Sequence, residues 1–289
     1  MVSTPRFKAT GCRALVGYPG RRARVSAGYS RHVRAPLPAS ASKLNWLTGS
    51  LHGIATVHPL FALTFDDGPD QVNTPEILRV LADREVQATF FVTVERAREM
   101  PEIVMDTIAA GHEIALHCYW HADLTKSSLR AVVAQIYRAR SHLEQLTGRE
   151  VRFFRPPYGS QNVLSYVAAR AAGLEVVVWN ASPRDFLALE LERQVAVAIK
   201  ELSPGGIMLL HDGGPPAPRW RRQLLCRLLD EGDSRGWKPL TVSELLGNGQ
   251  PVRRPWFRRR AQTLIEEMEP FLLSAEPTLR DSIEATHAA

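Results

Sequence analysis

The feature that most constrains the fold is a regular alternation, from Leu60 onward, of short apolar runs with longer helical patterns. The predicted strands are LFALTF (60–65), ATFFVT (88–93), HEIALH (112–117), VRFFR (151–155), LEVVVW (174–179), GIMLLH (206–211) and a short run at 239–242. Helical patterns at 74–84, 95–110, 127–147 and 219–231 lie between them. Strands that are apolar throughout are typical of a parallel sheet covered by helices. About seven such units over roughly 190 residues favour a closed or nearly closed βα barrel.

The basic charge of the chain is concentrated at its N-terminus. The net charge is +6, but residues 1–65 contain nine Lys or Arg and no acidic residue, so the remainder is nearly neutral. Residues 1–48 are rich in Arg, Ser, Gly, Ala and Pro and have little apolar periodicity, which predicts a disordered arm. The same composition has three alternative explanations. It is compatible with a targeting peptide, with electrostatic binding to nucleic acid or anionic lipid, and with a mis-assigned start codon.

Composition also bears on the compartment. No apolar run approaches the roughly 18 residues that a membrane helix requires, and the arm lacks the apolar core of a secretory signal. The three cysteines, Cys12, Cys118 and Cys226, are odd in number and irregularly spaced, which favours a reducing compartment over a disulfide framework. We therefore expect a cytoplasmic protein, and a location at the inner membrane face stays open.

Polar side chains follow the ends of successive predicted strands. In chain order they are Asp66 and Asp67, His117 and His121, Arg155, Arg184 and Asp185, and His211. Because the carboxyl ends of barrel strands meet at one face, we expect these side chains to share one site. Two adjacent carboxylates at a strand end are costly unless a cation meets them, although a single aspartate could simply cap the following turn.

The sequence HCYWH places His117 and His121 four residues apart, close enough within a helical turn to bind one ion. Two histidines at this spacing are weak evidence for a metal site by themselves. A carboxylate at a neighbouring strand end makes the evidence stronger. Two histidines and one aspartate with open positions suit Zn²⁺, and Fe²⁺ or Co²⁺ would accept the same set. One of the two aspartates can then ligate the ion while its neighbour acts as a base.

Five motifs, TFDDGP, GHEI followed by HxxxH, RPPYG, SPRDF and LLHDG, occur in this order at the predicted strand ends. They resemble the motifs of the NodB-homology polysaccharide deacetylases, carbohydrate esterase family 4. The resemblance covers roughly residues 60 to 246. It implies an α/β fold, a distorted (β/α)7 barrel, and metal-dependent removal of N- or O-acetyl groups from amino-sugar polymers. We predict a basic arm at 1–48, the deacetylase barrel at 49–249, and a linker with an amphipathic helical tail at 250–289.

The resemblance also implies roles for individual residues. Asp66 resembles the catalytic base, and Asp67 resembles a metal ligand whose triad His117 and His121 complete. Arg155 would hold Asp66 in its charged form, and His211 would be the general acid, with Asp185 in the same catalytic set. The implied substrate contacts are the backbone N–H of Tyr158 toward the oxyanion, Leu209 in the acetyl pocket, Phe186 as an aromatic wall, Pro157 and Trp179.

The motifs depart from the family pattern at three positions. Cys118 follows the first metal histidine where Ser or Thr is usual, and we interpret it as a small buried hydrophobe rather than a ligand. Ser182 and Phe186 replace an aspartate and a tryptophan. Without a carboxylate at 182, we expect His211 to be less basic and less sharply oriented, unless Asp185 or Asp212 compensates.

Beyond the barrel, residues 256–273 resume helical periodicity. The apolar positions on one face are Phe257, Ala261, Leu264, Ile265, Met268 and Leu272. We expect this face to pack against the barrel, and the neighbouring arginines also permit peripheral contact with an anionic membrane.

Three classes of function stay open from the sequence. The first is an N-deacetylase of an amino sugar, oligosaccharide or polysaccharide, with an acetylated amino sugar as partner and no nucleic acid. The second is a deformylase or other small-acyl amidase acting on a sugar or lipid-linked sugar. The third is a non-catalytic carbohydrate binder, against which the complete set of polar strand-end residues argues.

Overall fold

The computed structural model describes residues 49–187, 189–214 and 218–272, so the predicted arm at 1–48 lies outside the described residues. The strands in this part are β1 (Ser50–Ala55), β2 (Leu60–Asp66), β3 (Thr89–Thr93), β4 (Glu113–Cys118), β5 (Phe153–Phe154), β6 (Glu175–Val176), β7 (Gly206–His211), β8 (Lys238–Leu240) and β9 (Gln250–Arg254). The helices are α1 (Asn73–Asp83), α2 (Val94–Glu99), α3 (Pro101–Ala109), α4 (Leu129–Thr147), α5 (Val163–Ala171), α6 (Leu191–Glu201), α7 (Pro218–Ser234), α8 (Val242–Leu246) and α9 (Arg260–Leu272).

A seven-stranded parallel sheet forms the centre of the molecule. Its order is β6-β5-β4-β3-β2-β7, and β8 pairs with the first half of β2. β2 lies in the interior of the sheet between β3 and β7. Its residues from Phe61 to Asp66 are buried, as expected for a strand covered on both faces. The sheet curls toward closure, since the chain beyond β6 reaches β7, where the Leu209 amide donates to the carbonyl of Ala181 at 2.9 Å. This architecture confirms the predicted α/β fold, a distorted (β/α)7 barrel.

Helices cover the outside of the sheet, and α4 illustrates how the sequence encodes them. The Ser128 hydroxyl caps its first turn by accepting a hydrogen bond from the Ala131 amide at 3.3 Å. Gly148 ends the helix in the left-handed conformation, with φ of 64°. The apolar residues between these caps recur every three or four positions and are buried: Val132, Ile136, Ala139 and Leu143.

Two predicted elements differ from the structure. The helical pattern at 95–110 forms two helices, α2 and α3, because Pro101 begins the second one. Proline is tolerated in the first turn of a helix and disrupts a helix interior. The runs at 151–155 and 174–179 are buried as expected, but only two residues of each pair regularly, as β5 and β6.

Composition predicts a linker at residues 250–254, but the structure has a strand there. This strand, β9, pairs antiparallel with β1, an element that the sequence did not predict. β9 carries a proline and two arginines and is half-buried or exposed, so it lacks the alternation of a typical strand. Its ladder depends on β1, and proline is accepted in such an edge strand.

The tail helix forms as α9, and the predicted apolar face turns inward only in part, since Leu264 and Met268 are partly buried. Phe257 is 48% exposed and Ile265 is 54% exposed, whereas Thr263 is buried. Glu267 on the inward side of the helix accepts a hydrogen bond from Trp179 of the barrel. Among the described helices, none is long and apolar enough to cross a membrane. Membrane contact through the arm or tail stays a prediction.

β1 also approaches the turn that precedes β7, and two glycines allow that approach. The Ile54 amide donates to the Gly205 carbonyl at 2.9 Å. Gly53 has φ of +146°, and a Cβ at this position would lie 2.2 Å from the Gly205 carbonyl oxygen. The backbone there has no space for a side chain.

We therefore expect Gly53→Ala to destabilise the fold by roughly 3 kcal/mol or more, because a steric clash adds to backbone strain. Gly148→Ala is the matched control, since its φ is +64° but nothing lies within 4 Å of an added Cβ. The control should cost about 1 kcal/mol from backbone strain alone. Urea unfolding followed by circular dichroism measures both. Equal costs would contradict the close approach of β1 to the Gly205 turn.

Candidate active site

The end of β2 separates the two adjacent carboxylates. Thr64 and Asp66 lie two positions apart in the strand, so their side chains face the same side, and both contact Arg155. Asp67 then adopts a left-handed backbone conformation, with φ of 73°. Its carboxylate meets His117 and His121 instead. Asp66 thus pairs with Arg155 and Asp67 with the two histidines, and His117 lies between them, with its Nδ1 3.8 Å from Asp66 Oδ2.

Arg155 is the most deeply buried charged side chain at the site, with no exposed surface. Its Nη1 donates to Asp66 Oδ1 at 2.6 Å and to Thr64 Oγ1 at 2.9 Å, and its Cζ lies 4.1 Å from the centre of the Phe91 ring. Burial lowers the pKa of the guanidinium, while the charge and hydrogen bond of Asp66 oppose that shift. A buried guanidinium requires a charged partner, and Asp66 is that partner in the ion pair.

Three potential ligand atoms converge beside this pair. Nε2 of His117 and Nε2 of His121 lie 3.2 and 3.1 Å from Asp67 Oδ1, and the three groups can all place a ligand atom within 4.8 Å of one another. Nδ1 of His117 lies 2.9 Å from the Arg155 carbonyl oxygen, which can only accept a hydrogen bond. That contact places the proton on Nδ1 and leaves the Nε2 lone pair for an ion.

The environment of Asp67 tests whether a divalent cation fits. Burial by itself raises the pKa of Asp67, but the contacts with His117 and His121 and the charge of His211 lower it well below its usual value. Its Oδ1 is buried and receives no hydrogen bond of good geometry from the described residues. A carboxylate oxygen about 3 Å from the Nε2 atoms of two histidines, with no well-formed hydrogen bond to it, fits a divalent cation of the kind that His and Asp bind.

His211 enters the cavity from the end of β7 and is held by Asp185. Its Nδ1 lies 2.7 Å from Asp185 Oδ1, and its backbone N–H donates to Asp185 Oδ2 at 2.7 Å. Burial alone would lower the pKa of His211, but the charge and hydrogen bond of Asp185, followed by the charges of Asp67 and Asp66, raise it from 6.5 to about 9. Asp185 therefore favours the protonated imidazolium form of His211.

Of the two carboxylates expected to compensate for Ser182, Asp185 is the one that contacts His211. Asp212 is fully buried and accepts a hydrogen bond from Thr74 Oγ1 at 2.6 Å. Burial raises the pKa of Asp212 to about 7, and the Thr74 hydrogen bond opposes that shift. Ser182 accepts a backbone hydrogen bond within its own loop. The exception that the sequence left open therefore applies, because Asp185 supplies the negative charge that Ser182 lacks.

These side chains open into one cavity of about 280 Å³. The predicted site residues that line it are Asp66, Asp67, His117, His121, Tyr158, Trp179, Phe186, Leu209 and His211. Three predicted residues, Arg155, Asp185 and Pro157, are buried behind this lining. The structure thus brings the whole predicted set to one place.

Aromatic side chains shape the cavity walls. Tyr158 lies in a short 3-10 turn with φ of 59°, and its ring packs edge-on against His121 with centroids 4.2 Å apart. Phe186 packs edge-on against His211 at 5.8 Å and is 36% exposed. Leu209 is buried in β7 at the base of the cavity. An apolar base with aromatic sides is suited to a small acyl group and a sugar ring.

Cys118 is not part of the ligand set. It is fully buried in the hydrophobic core, and its thiol lies 3.3 Å from Gln135 Oε1. Burial raises the pKa of the thiol to about 12. Its interpretation as a small buried hydrophobe is confirmed.

Sequence reasoning missed one wall of the cavity, which α9 supplies. The residues of α9 that line it are Arg260, Thr263, Leu264 and Glu267. Their spacing of three, four and seven residues is a signal that the sequence contains, since such positions share one helix face. Of these four residues, the predicted apolar face included only Leu264.

Comparison with known proteins agrees with the site geometry. The profile of the family described as polysaccharide deacetylase matches residues 54–177. A chitooligosaccharide deacetylase of Sinorhizobium fredii is 41% identical over 161 residues, which are 55% of this chain and 74% of the relative. A peptidoglycan-N-acetylglucosamine deacetylase of Bacillus cereus is 34% identical over 189 residues, 65% of this chain and 88% of the relative.

Among solved structures, a peptidoglycan N-acetylglucosamine deacetylase in complex with 4-naphthalen-1-yl-N-oxidanyl-benzamide superposes with a TM-score of 0.65 at 26% identity. The match covers 73% of this chain and 98% of that one. Fold, motif residues and sequence identity agree, and together they establish that the chain belongs to the NodB-homology polysaccharide deacetylases of carbohydrate esterase family 4.

Proposed function

We propose that the protein is a metal-dependent deacetylase that removes the N-acetyl group from an amino sugar in an oligosaccharide or polysaccharide, releasing acetate and a free amine. One observation carries this proposal. One cavity brings together Asp66 in an ion pair with Arg155, Asp67 beside two histidines, and His211 paired with Asp185. The relatives named as chitooligosaccharide and peptidoglycan-N-acetylglucosamine deacetylases support N-acetylglucosamine as the sugar.

Asp67, His117 and His121 are the residues that would hold the metal. The set suits Zn²⁺, and Co²⁺ or Fe²⁺ would accept the same donors. When bound, the ion would polarise the amide carbonyl and would lower the pKa of a nearby water to about 7.

Asp66 is suited to act as the general base. The Arg155 guanidinium keeps it ionised, and the Arg155 contact uses Oδ1, so the second carboxylate oxygen can take the proton of the attacking water. Water adds to the carbonyl carbon, and a tetrahedral oxyanion forms. The backbone N–H of Tyr158 would donate to that oxyanion, while the acetyl methyl group packs against Leu209.

His211 is suited to act as the general acid. Asp185 occupies Nδ1, so the proton on Nε2 is the one available to the cavity. The C–N bond breaks as the sugar nitrogen takes that proton, which yields the neutral amine. Asp185 keeps the ring oriented and charged, and Phe186 beside it offers an aromatic face to the sugar.

The separate roles proposed for the adjacent aspartates, Asp66 as the base and Asp67 as a metal ligand, can be tested directly. Asp66→Asn should lower kcat by about 10²–10⁴-fold while the metal is retained, because the base is lost and the ligands are not. Asp67→Asn should lose both the metal and activity. Elemental analysis of the purified variants and acetate release from N-acetylated chitooligosaccharides measure the two effects. Equal metal content in the two variants would contradict the split, and release of formate from formylated sugars alone would identify a deformylase.

The pH profile tests His211 and Asp185. A general acid must be protonated, so activity is lost as the pH rises through the pKa of His211, which lies at about 9. Asp185→Asn removes the anion that favours the imidazolium, so the alkaline limb of kcat should move to lower pH. Ser182→Asp should hardly shift the limb, because Asp185 already serves His211. A large upward shift in Ser182→Asp, or none in Asp185→Asn, would contradict this assignment.

A further inference from the structure

The face of α9 that lines the cavity is chemically distinct from the rest of the helix. Arg260, Thr263, Leu264 and Glu267 line the cavity, with Thr263 buried, Leu264 and Glu267 partly buried and Arg260 exposed at the cavity edge; Ala261 and Ile265 between them are exposed and do not line it. This helix lies outside residues 54–177, which the family profile matches.

Polar contacts fix α9 against the barrel. Glu267 Oε1 accepts a hydrogen bond from Trp179 Nε1 at 2.6 Å. Nε of Arg184 lies 2.8 Å from Glu267 Oε2 and donates to the Glu267 carbonyl at 2.9 Å. Arg184 is also paired with Glu201. The charge of Glu267 is thus neutralised locally, and the helix is held in a defined position at the cavity.

Arg260 also lines the cavity, but its positive charge is not neutralised by a carboxylate of the described residues. Its Cζ lies 4.1 Å from the centre of the Tyr158 ring, and that ring in turn packs against His121. Within residues 49–187, 189–214 and 218–272, no carboxylate forms an ion pair with Arg260. Arg258, by contrast, is paired with Glu266. A guanidinium stacked on a ring keeps its N–H edges free to bind an oxyanion.

We propose that the Arg260 edge of the cavity is a subsite for an anionic substituent, a carboxylate or a phosphate, on the sugar chain being deacetylated. The inference rests on the proposed function, which supplies the sugar chain. Charge-assisted hydrogen bonds from Arg260 make the enzyme prefer anionic N-acetylated chains over neutral ones. Tyr158 connects this subsite to His121, so the substituent binds on a sugar close to the acetyl group that is cleaved.

The test measures affinity without turnover, by calorimetry on protein carrying Asp66→Asn. One pair of ligands is a tetramer of alternating N-acetylglucosamine and N-acetylmuramic acid and the same tetramer with its carboxylates capped as methyl amides. The second pair is chitotetraose 1-phosphate and chitotetraose. Arg260→Gln is compared with Arg259→Gln, an exposed neighbour of equal charge that does not line the cavity.

At least one anionic ligand should bind about tenfold more tightly than its neutral partner, the effect of one charge-assisted hydrogen bond. The pair that shows the preference identifies a carboxylate or a phosphate as the natural substituent. Arg260→Gln should remove most of the preference, Arg259→Gln should keep it, and added salt should weaken it. Equal binding within both pairs, or equal losses in the two arginine variants, would overturn the subsite. Acetate release from chitotetraose by the unsubstituted protein tests the proposed function separately from the subsite. Its absence would count against the deacetylase activity and not against the anion preference.

Discussion

The site depends on the buried ion pair between Arg155 and Asp66. A guanidinium without solvent contact is tolerated only beside an ionised partner, and removing one member of such a pair typically costs about 3–5 kcal/mol. Arg155 also presents its backbone carbonyl to His117 Nδ1. One residue therefore fixes the charge of the proposed base and the tautomer of a proposed metal ligand.

The same interaction explains why two neighbouring aspartates can have different tasks. Asp66 belongs to β2 and faces Arg155 inside the barrel, whereas the left-handed backbone at Asp67 turns the next carboxylate to the histidines. Across the cavity, the partner of His211 is also a carboxylate, Asp185. Base and acid thus start in opposite protonation states, each set by a buried partner of opposite charge, as amide hydrolysis requires.

Much of this site could be predicted from the sequence, because strand ends in a parallel barrel meet at one face. Other parts depend on tertiary contacts that no local pattern reports. β9 forms only because β1 lies beside it. The partner of His211 could be Asp185 or Asp212 from the sequence, and burial of Asp212 against Thr74 decides between them. The inward face of α9 carries Leu264 of the apolar stripe together with Glu267, whose hydrogen bond to Trp179 no local pattern predicts.

The central claim is that one divalent ion binds Asp67, His117 and His121 while Asp66 stays with Arg155. Anomalous X-ray scattering from crystals of the zinc-loaded protein tests it most directly. We expect a single strong peak within bonding distance of those three side chains, with the Asp66 carboxylate still hydrogen-bonded to Arg155. A peak bonded to Asp66, or the absence of a peak between the two histidines, would contradict the claim.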